Sequence, residues 1–271
     1  MRATHCLIPT LFVLFAEMSP AQRTSHAFEL RSYAGIQGFS WKEFDVAGNE
    51  LLNENGPRFS FALQPRFSFG AKKEIYTELS LEYTSGLVDY NGSTQDLLTG
   101  RLERHSTSTQ YTGARINLDF AYDGCVSEAF TLVPSLGVGT EFWNRDLGDG
   151  DAMGYDEKYS VFQIRLGFQG VVALTKSVQV HSGFIVGFPV SITETIDRFP
   201  RVNPAVTGIG LEPGINPSFT AQIGGNMDIF FAVVYFETWT LSKSHFVKGL
   251  YQPESTRTQL GLRIGYILAG Q

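Results

Sequence analysis

The sequence predicts an all-β chain: a transmembrane, antiparallel, up-and-down β-barrel of about ten strands. Three observations carry that expectation. Apolar and polar residues alternate with a period of two along most segments from about Pro57 onward, and successive side chains of a strand point to opposite faces. The connections between these segments run long and short in turn. No stretch after the N-terminal region approaches the about 18 to 20 uncharged apolar residues that a spanning helix needs, so a membrane protein of this sequence crosses with strands.

The N-terminus reads as an export signal over residues 1–21, with cleavage as late as 27 as the alternative. Arg2 supplies a positive start, Leu7 to Phe15 an apolar core too short to span, and Ser19-Pro20-Ala21 or Ser25-His26-Ala27 the small residues of a cleavage site. The barrel is expected over 28–268. Its first segment, about Phe28 to Trp41, assigns no face clearly. The second sets Phe59, Phe61, Leu63, Phe67 and Phe69 against Arg58, Ser60, Gln64, Arg66 and Ser68. The third sets Ile75, Thr77, Leu79, Leu81 and Tyr83 against Tyr76, Glu78, Ser80, Glu82 and Thr84, and the fourth Ala114, Ile116, Leu118 and Phe120 against Arg115, Asn117 and Asp119.

In the fifth, Phe130, Leu132, Leu136, Val138 and Phe142 oppose Thr131, Ser135 and Glu141; in the sixth, Phe162, Ile164, Leu166 and Phe168 oppose Gln163, Arg165 and Gln169. The seventh sets Val178, Val180, Phe184, Val186 and Phe188 against Gln179 and His181. The eighth, about Ile215 to Asn226, is Gly-rich, and the ninth, Ile229 to Leu241, is apolar on both faces until Glu237. The last is clear again, with Leu260, Leu262, Ile264, Tyr266 and Leu268 against Arg257, Gln259 and Arg263. Parity therefore assigns Glu78, Glu82, Arg115, Asp119, Glu141, Arg165 and Arg263 to a polar lumen. Pro65, Pro134, Pro189 and Pro217 fall inside strand segments, where a closed barrel has no free edge, so bulges are expected to absorb them.

Short links are expected near Gly70 to Lys73, Asp123 to Glu128, Thr175 to Ser177 and Met227-Asp228. Long polar links are expected at Asp45 to Gly56, Gly86 to Ser108, Asn144 to Lys158, Thr193 to Gly214 and Ser242 to Ser255. Alternation alone does not say which face is outside: the apolar row suits lipid, or the interior of a secreted soluble barrel that binds a small apolar ligand. Segment lengths above the usual globular strand favour lipid. So do lumen rows that mix both charge signs, and aromatics gathered at strand ends (Trp41, Tyr83, Tyr122, Trp143, Tyr159 and Trp239), placed as interfacial girdles.

The final strand, Gln259-Leu260-Gly261-Leu262-Arg263-Ile264-Gly265-Tyr266, resembles the C-terminal assembly signal of outer-membrane barrels, with Gln259, Gly261, Ile264 and Tyr266 at the matching positions. It departs from the usual ending in lacking a terminal aromatic. At the level of architecture the chain resembles small outer-membrane barrels of Gram-negative bacteria, which have an even strand count, short periplasmic turns and long extracellular loops. The resemblance implies periplasmic termini, a monomer in the bacterial outer membrane, and outer-membrane lipid, lipopolysaccharide and the barrel-assembly machinery as partners. Lys243, Lys248, Arg198 and Arg201 are the loop cations available to lipopolysaccharide phosphates.

Composition bounds the chemistry. With 27 acidic against 21 basic residues the net charge is −6, which argues against nucleic acid as a partner. A mean hydropathy of −0.05 is what alternating rows give. Cys6 lies in the expected signal and Cys125 stands alone in a turn, so no internal disulfide is expected.

His181 and Ser182 are adjacent on a strand and point apart, so they cannot form a nucleophile–base pair without a bulge. His105, His245 and Asp146 are the rim residues that an omptin-like protease or a lipid-modifying enzyme would draw on, without a match to omptin motifs. Asp146, Asp149 and Asp151 crowd carboxylates into one loop, but Met153 breaks the EF-hand spacing and a solvated acidic loop is the expectation. No metal, cofactor or catalytic residue is therefore assigned. The expected role is non-enzymatic: structural, surface-binding or narrow-pore transport.

Overall fold

The computed structural model describes residues 26–70, 73–95, 102–127, 129–147, 156–197, 208–247 and 250–270. Ten long strands form one closed antiparallel barrel: β1 (Phe28–Phe44), β2 (Glu50–Phe69), β3 (Ile75–Gln95), β4 (Leu102–Tyr122), β5 (Phe130–Asp146), β6 (Asp156–Ala173), β7 (Val178–Asp197), β8 (Ser218–Met227), β9 (Phe230–Ser242) and β10 (Glu254–Gly270). Each pairs with its sequence neighbours. The ring closes where β1 meets β10, from Phe28 opposite Gly270 to Phe44 opposite Glu254.

The greasy row faces out. Phe59, Phe61, Leu63, Phe67 and Phe69 are exposed, as are Ile116 and Phe120 on β4, Phe162 to Phe168 on β6, and Leu260 to Leu268 on β10, while their odd-even partners are turned inward. This excludes the soluble alternative, in which that row would line the interior. On β2 the row runs from Phe59 to Phe69, matching the about 9 to 11 residues that carry a tilted strand across a bilayer. Below we call this zone the belt.

Four of the five long links differ from expectation, because most of their described residues are strand; Ser242 to Ser255 remains a link. The first is only a tight turn, Asp45–Asn49. Its Asp45 carboxylate accepts from the backbone N–H of Ala47 and Asn49, both at 2.8 Å, and Gly48 takes a positive φ of 83°. β3 and β4 likewise pair continuously up to Gln95 opposite Leu102. Turn-forming polar residues sit there on the outward face of extended strands, which is why their composition imitated loops. β8 alone stays short. Above it the wall is completed by two short strands, Ile209–Leu211 against β7 and Gly214–Ile215 against β9.

The prolines fit at breaks in the ladders. Pro189 adjoins the bulge at Phe162/Gln163, Pro134 lies just beyond the last β4 pair at Ala121–Ser135, and Pro65 falls in a gap between Leu63–Leu81 and Arg66–Glu78. Pro217 precedes β8. Between β8 and β9 the turn needs only Asp228 in the left-handed region, at φ 53°.

Candidate functional site: the lumen

The lumen is built in charged layers. Nearest the short turns, Arg66 donates to Glu78 through Nε (3.0 Å) and Nη2 (2.8 Å) and stacks on Tyr76 at 3.9 Å, while Arg165 Nε donates to Asp119 at 3.1 Å. A polar cavity of about 170 Å³ opens here, lined by Arg31, Glu78, Asn117, Arg165, His181 and Gln222 among others. Above it Arg263 reaches Glu82 at 3.2 Å across the barrel and lies over the Tyr235 ring at 3.9 Å. Gly261 makes that stack fit: a Cβ there would lie 2.5 Å from the Tyr235 ring.

The next layer spans the whole interior. Arg115 on β4 donates to Glu141 at 2.9 Å and to Glu237 on β9 at 2.8 and 2.9 Å; Arg257 on β10 donates to the same two carboxylates at 2.8 to 3.0 Å. β4 and β9 are not neighbours in the wall, so this contact runs through the lumen. Two guanidiniums against two carboxylates satisfy one another, which buried charge requires. Arg257 also lies over Trp239 at 3.9 Å and Trp143 at 5.0 Å.

Above the belt the interior becomes a packed core. Phe39, Trp41, Leu52, Val88, Tyr90, Tyr111, Trp143, Tyr159, Val161, Ile192, Trp239 and Leu241 form one buried cluster. Trp143 stacks on Tyr159 at 4.6 Å and meets Trp239 edge-on at 5.3 Å. Trp41, Trp143, Tyr159 and Trp239 were expected as an interfacial girdle. They point inward instead, with Trp41 1%, Trp143 3% and Trp239 6% exposed; only Tyr83 and Tyr122 of that set face out. The outward residues at this level are polar, including Lys42, Asn53, Asn55, Asp89, Asn144, Lys158 and Thr193. These strand ends therefore stand in water, and their apolar side chains turn to the only dry space left, the lumen.

Within this core lies an acidic cluster. Arg145, fully buried, donates Nε to both oxygens of Glu54 (3.1 and 3.0 Å) and Nη1 to Glu157 (2.6 Å) and Glu43 (3.3 Å). Glu54 also accepts from Thr109 at 2.6 Å and from the Tyr111 hydroxyl, Glu157 from Tyr159 at 3.0 Å, and Glu43 from the Trp41 indole at 2.9 Å. Glu194 is fully buried beside them. The side-chain amide of Gln252, from the β9–β10 link, lies 3.0 and 3.1 Å from the two Glu194 oxygens. Burial pushes the Tyr111 and Tyr159 hydroxyls well above the ordinary phenol range, so both remain donors.

Of the residues assigned by parity, Glu78 meets Arg66, Glu82 meets Arg263, Arg115 meets Glu141, and Asp119 meets Arg165. In the final-strand pattern Gln259 is buried, Gly261 underlies Tyr235, and Ile264 and Tyr266 face out. Sequence reasoning missed Glu43, Glu54, Arg145, Glu157 and Glu194. Glu54 and Arg145 continue the inward parity of β2 and β5, and the signal was lost because both had been assigned to loops.

His181 is buried and Ser182 exposed, on opposite faces. His105 lies edge-on to Tyr90 at 6.4 Å, His245 is exposed in the β9–β10 link, and Asp146 ends β5 opposite Asp156. Lys243 stacks on Phe246 and Tyr251. Asp149, Asp151, Arg198, Arg201, Lys248 and residues 1–21 lie outside the described residues. Among the described residues no group of three or more His, Cys, Asp or Glu is arranged to hold a metal ion.

No protein-family model matches the chain, and no curated protein matches it in sequence. Among solved structures it is similar to the outer membrane protease OmpT from Escherichia coli, at 9% identity and a TM-score of 0.61, with 90% of this chain and 98% of that one covered. The chain has the fold of an outer-membrane β-barrel. At that identity the likeness concerns fold alone. Other overlays include the translocator domain of the autotransporter NalP from Neisseria meningitidis (11% identity, TM-score 0.43, 91% and 90% covered) and the toluene transporter TbuX from Ralstonia pickettii (9% identity, TM-score 0.41, 93% and 92% covered). At those scores neither carries an argument.

Proposed function

We propose that this chain is a non-enzymatic outer-membrane barrel with a closed lumen, serving a structural or surface-binding role, its termini and short turns in the periplasm. One observation carries the reading: the aromatic core and charged layers fill the interior above the belt, with Trp41, Trp143, Tyr111 and Arg145 almost wholly buried. A packed core of this kind gives a solute no continuous aqueous path. The narrow-pore alternative would need those side chains to part. The protruding wall, polar outside and rigidly filled inside, suits a platform that holds its loops at the cell surface, where lipopolysaccharide is the nearest anionic partner.

Planar-bilayer recording of the refolded protein at about pH 6 tests this reading. Electrical silence is the expected result. A steady conductance from the unmodified chain would overturn it. Arg115→Ala and Asp119→Ala remove lumen charges while leaving the aromatic core in place, and should lower stability without opening a pore.

A further inference from the structure

Among the described residues the acidic cluster does not balance. Glu43 on β1, Glu54 on β2, Glu157 on β6 and Glu194 on β7 converge in the buried upper lumen, and Arg145 on β5 is the one cation among the described residues that bonds to them. The other groups facing them are Tyr90 on β3, Tyr111 on β4, Tyr159 on β6 and Gln252 from the β9–β10 link, all neutral, with His105 beyond Tyr90. Another buried guanidinium, Arg58, lies over the Phe39 and Tyr111 rings and donates to Thr84. With all four carboxylates ionised the described part of the cluster would hold three uncompensated negative charges in a buried space. Burial of unpaired charge is costly enough that such groups take up protons instead.

The hydrogen bonds distinguish the four carboxylates. Glu54 takes the Arg145 Nε–H across both its oxygens and has two hydroxyl donors, and Glu157 has the shortest contact to the guanidinium. Glu43 has only the longest contact, and Glu194 meets the Gln252 amide. We propose that this cluster is a proton-operated latch on the outer mouth of the barrel, holding the aromatic core shut while Glu43 and Glu194 are protonated and loosening it when they ionise.

The electrostatics of the cluster agree. Burial, opposed by Arg145 and reinforced by Glu157 and Glu54, pushes the Glu43 carboxyl up to about 7. Burial, then Glu157 and Glu43, push Glu194 well above the usual carboxylate range. A carboxyl whose pKa is raised on folding binds its proton more tightly in the closed state. Its stabilisation is therefore complete at or below the ordinary carboxylate range and is lost as pH climbs through the raised value. For Glu43 that loss ends near pH 7, and Glu194 extends it to higher pH. Tyr90, pushed by burial up to about 12, stays neutral throughout.

The chain carries its own reporter, because all three of its tryptophans, Trp41, Trp143 and Trp239, belong to this core. Tryptophan emission and acrylamide quenching of the full refolded chain, followed from about pH 5 to about pH 9, read the latch directly. The proposal expects shielded emission at the acid end and a several-fold rise in quenching, with a red shift, at the alkaline end. The Glu43→Gln, Glu194→Gln double variant keeps the hydrogen-bonding shape without the charge, and should stay shielded throughout. Quenching of the wild type that is flat with pH overturns the proposal, and so does a double variant that opens in parallel with it. A failure here leaves the closed lumen at about pH 6 standing, whereas conductance at that pH would remove the closed-lumen reading itself.

Discussion

Phe142 and Trp143 are neighbours on β5, yet they belong to two different solvents. In the belt, large apolar side chains point outward and the lumen carries charged layers, with smaller apolar clusters around Tyr33 and Phe231 and around Tyr76 and Val133 between them. A few residues further along the same strands the arrangement inverts: Phe59 faces out but Leu52 faces in, Leu87 out but Val88 and Tyr90 in, Phe236 out but Trp239 and Leu241 in. The backbone pleat is unchanged across this boundary. What changes is where water is. Within the bilayer the lumen is the wetter side; beyond it the outside is, and the lumen becomes the core of a water-soluble barrel. The comparison teaches that a single period-two pattern can encode two hydrophobic faces in series.

The largest expected effect breaks the upper region alone. Arg145→Ala leaves Glu43, Glu54 and Glu157 without their shared guanidinium and should cost about 3 to 5 kcal/mol in urea unfolding near neutral pH. The cost should shrink toward pH 5 as Glu43 takes up its proton. The lower region is broken by Leu118→Arg, whose side chain lies in the outward row between Ile116 and Phe120. If the position sits mid-bilayer, insertion should weaken by about 2 to 4 kcal/mol, read from folding titrations into vesicles; unimpaired insertion would mean that the outward row does not face lipid. A smaller effect is expected at the junction, where Gly261→Ala sets a methyl against the Tyr235 ring and should cost about 1 to 3 kcal/mol by thermal unfolding. Least of all, Lys42→Ala removes an exposed 2.7 Å pair with Glu50 and should change stability by no more than about 1 kcal/mol.

The barrel itself was legible because its belt is written in large residues with strict parity: β2, β4, β6 and β10 each show one clean row. β1 was harder to read because its inward row mixes Tyr33, Phe39 and Trp41 with Gln37 and Glu43, so neither face looks polar. The upper strands were illegible for a related reason. Asn53, Asn55, Asp89 and Asn91 look like loop residues, but they are the water-facing row of strands whose other row is Leu52, Glu54, Val88 and Tyr90. The tryptophans were placed at the correct ends of the strands and on the wrong face, because a girdle and a plug leave the same mark in sequence. The acidic cluster depends on residues from five strands meeting at one height, which is fixed by register and not by any local pattern.

The inversion is tested most directly by refolding the protein into vesicles of brominated lipid at about pH 6 and comparing tryptophan emission with that in ordinary lipid. With all three indoles above the belt and turned into the lumen, bromine should leave the emission essentially unchanged. Strong quenching would place them at the lipid interface as a girdle, and the two-region barrel described here would be wrong.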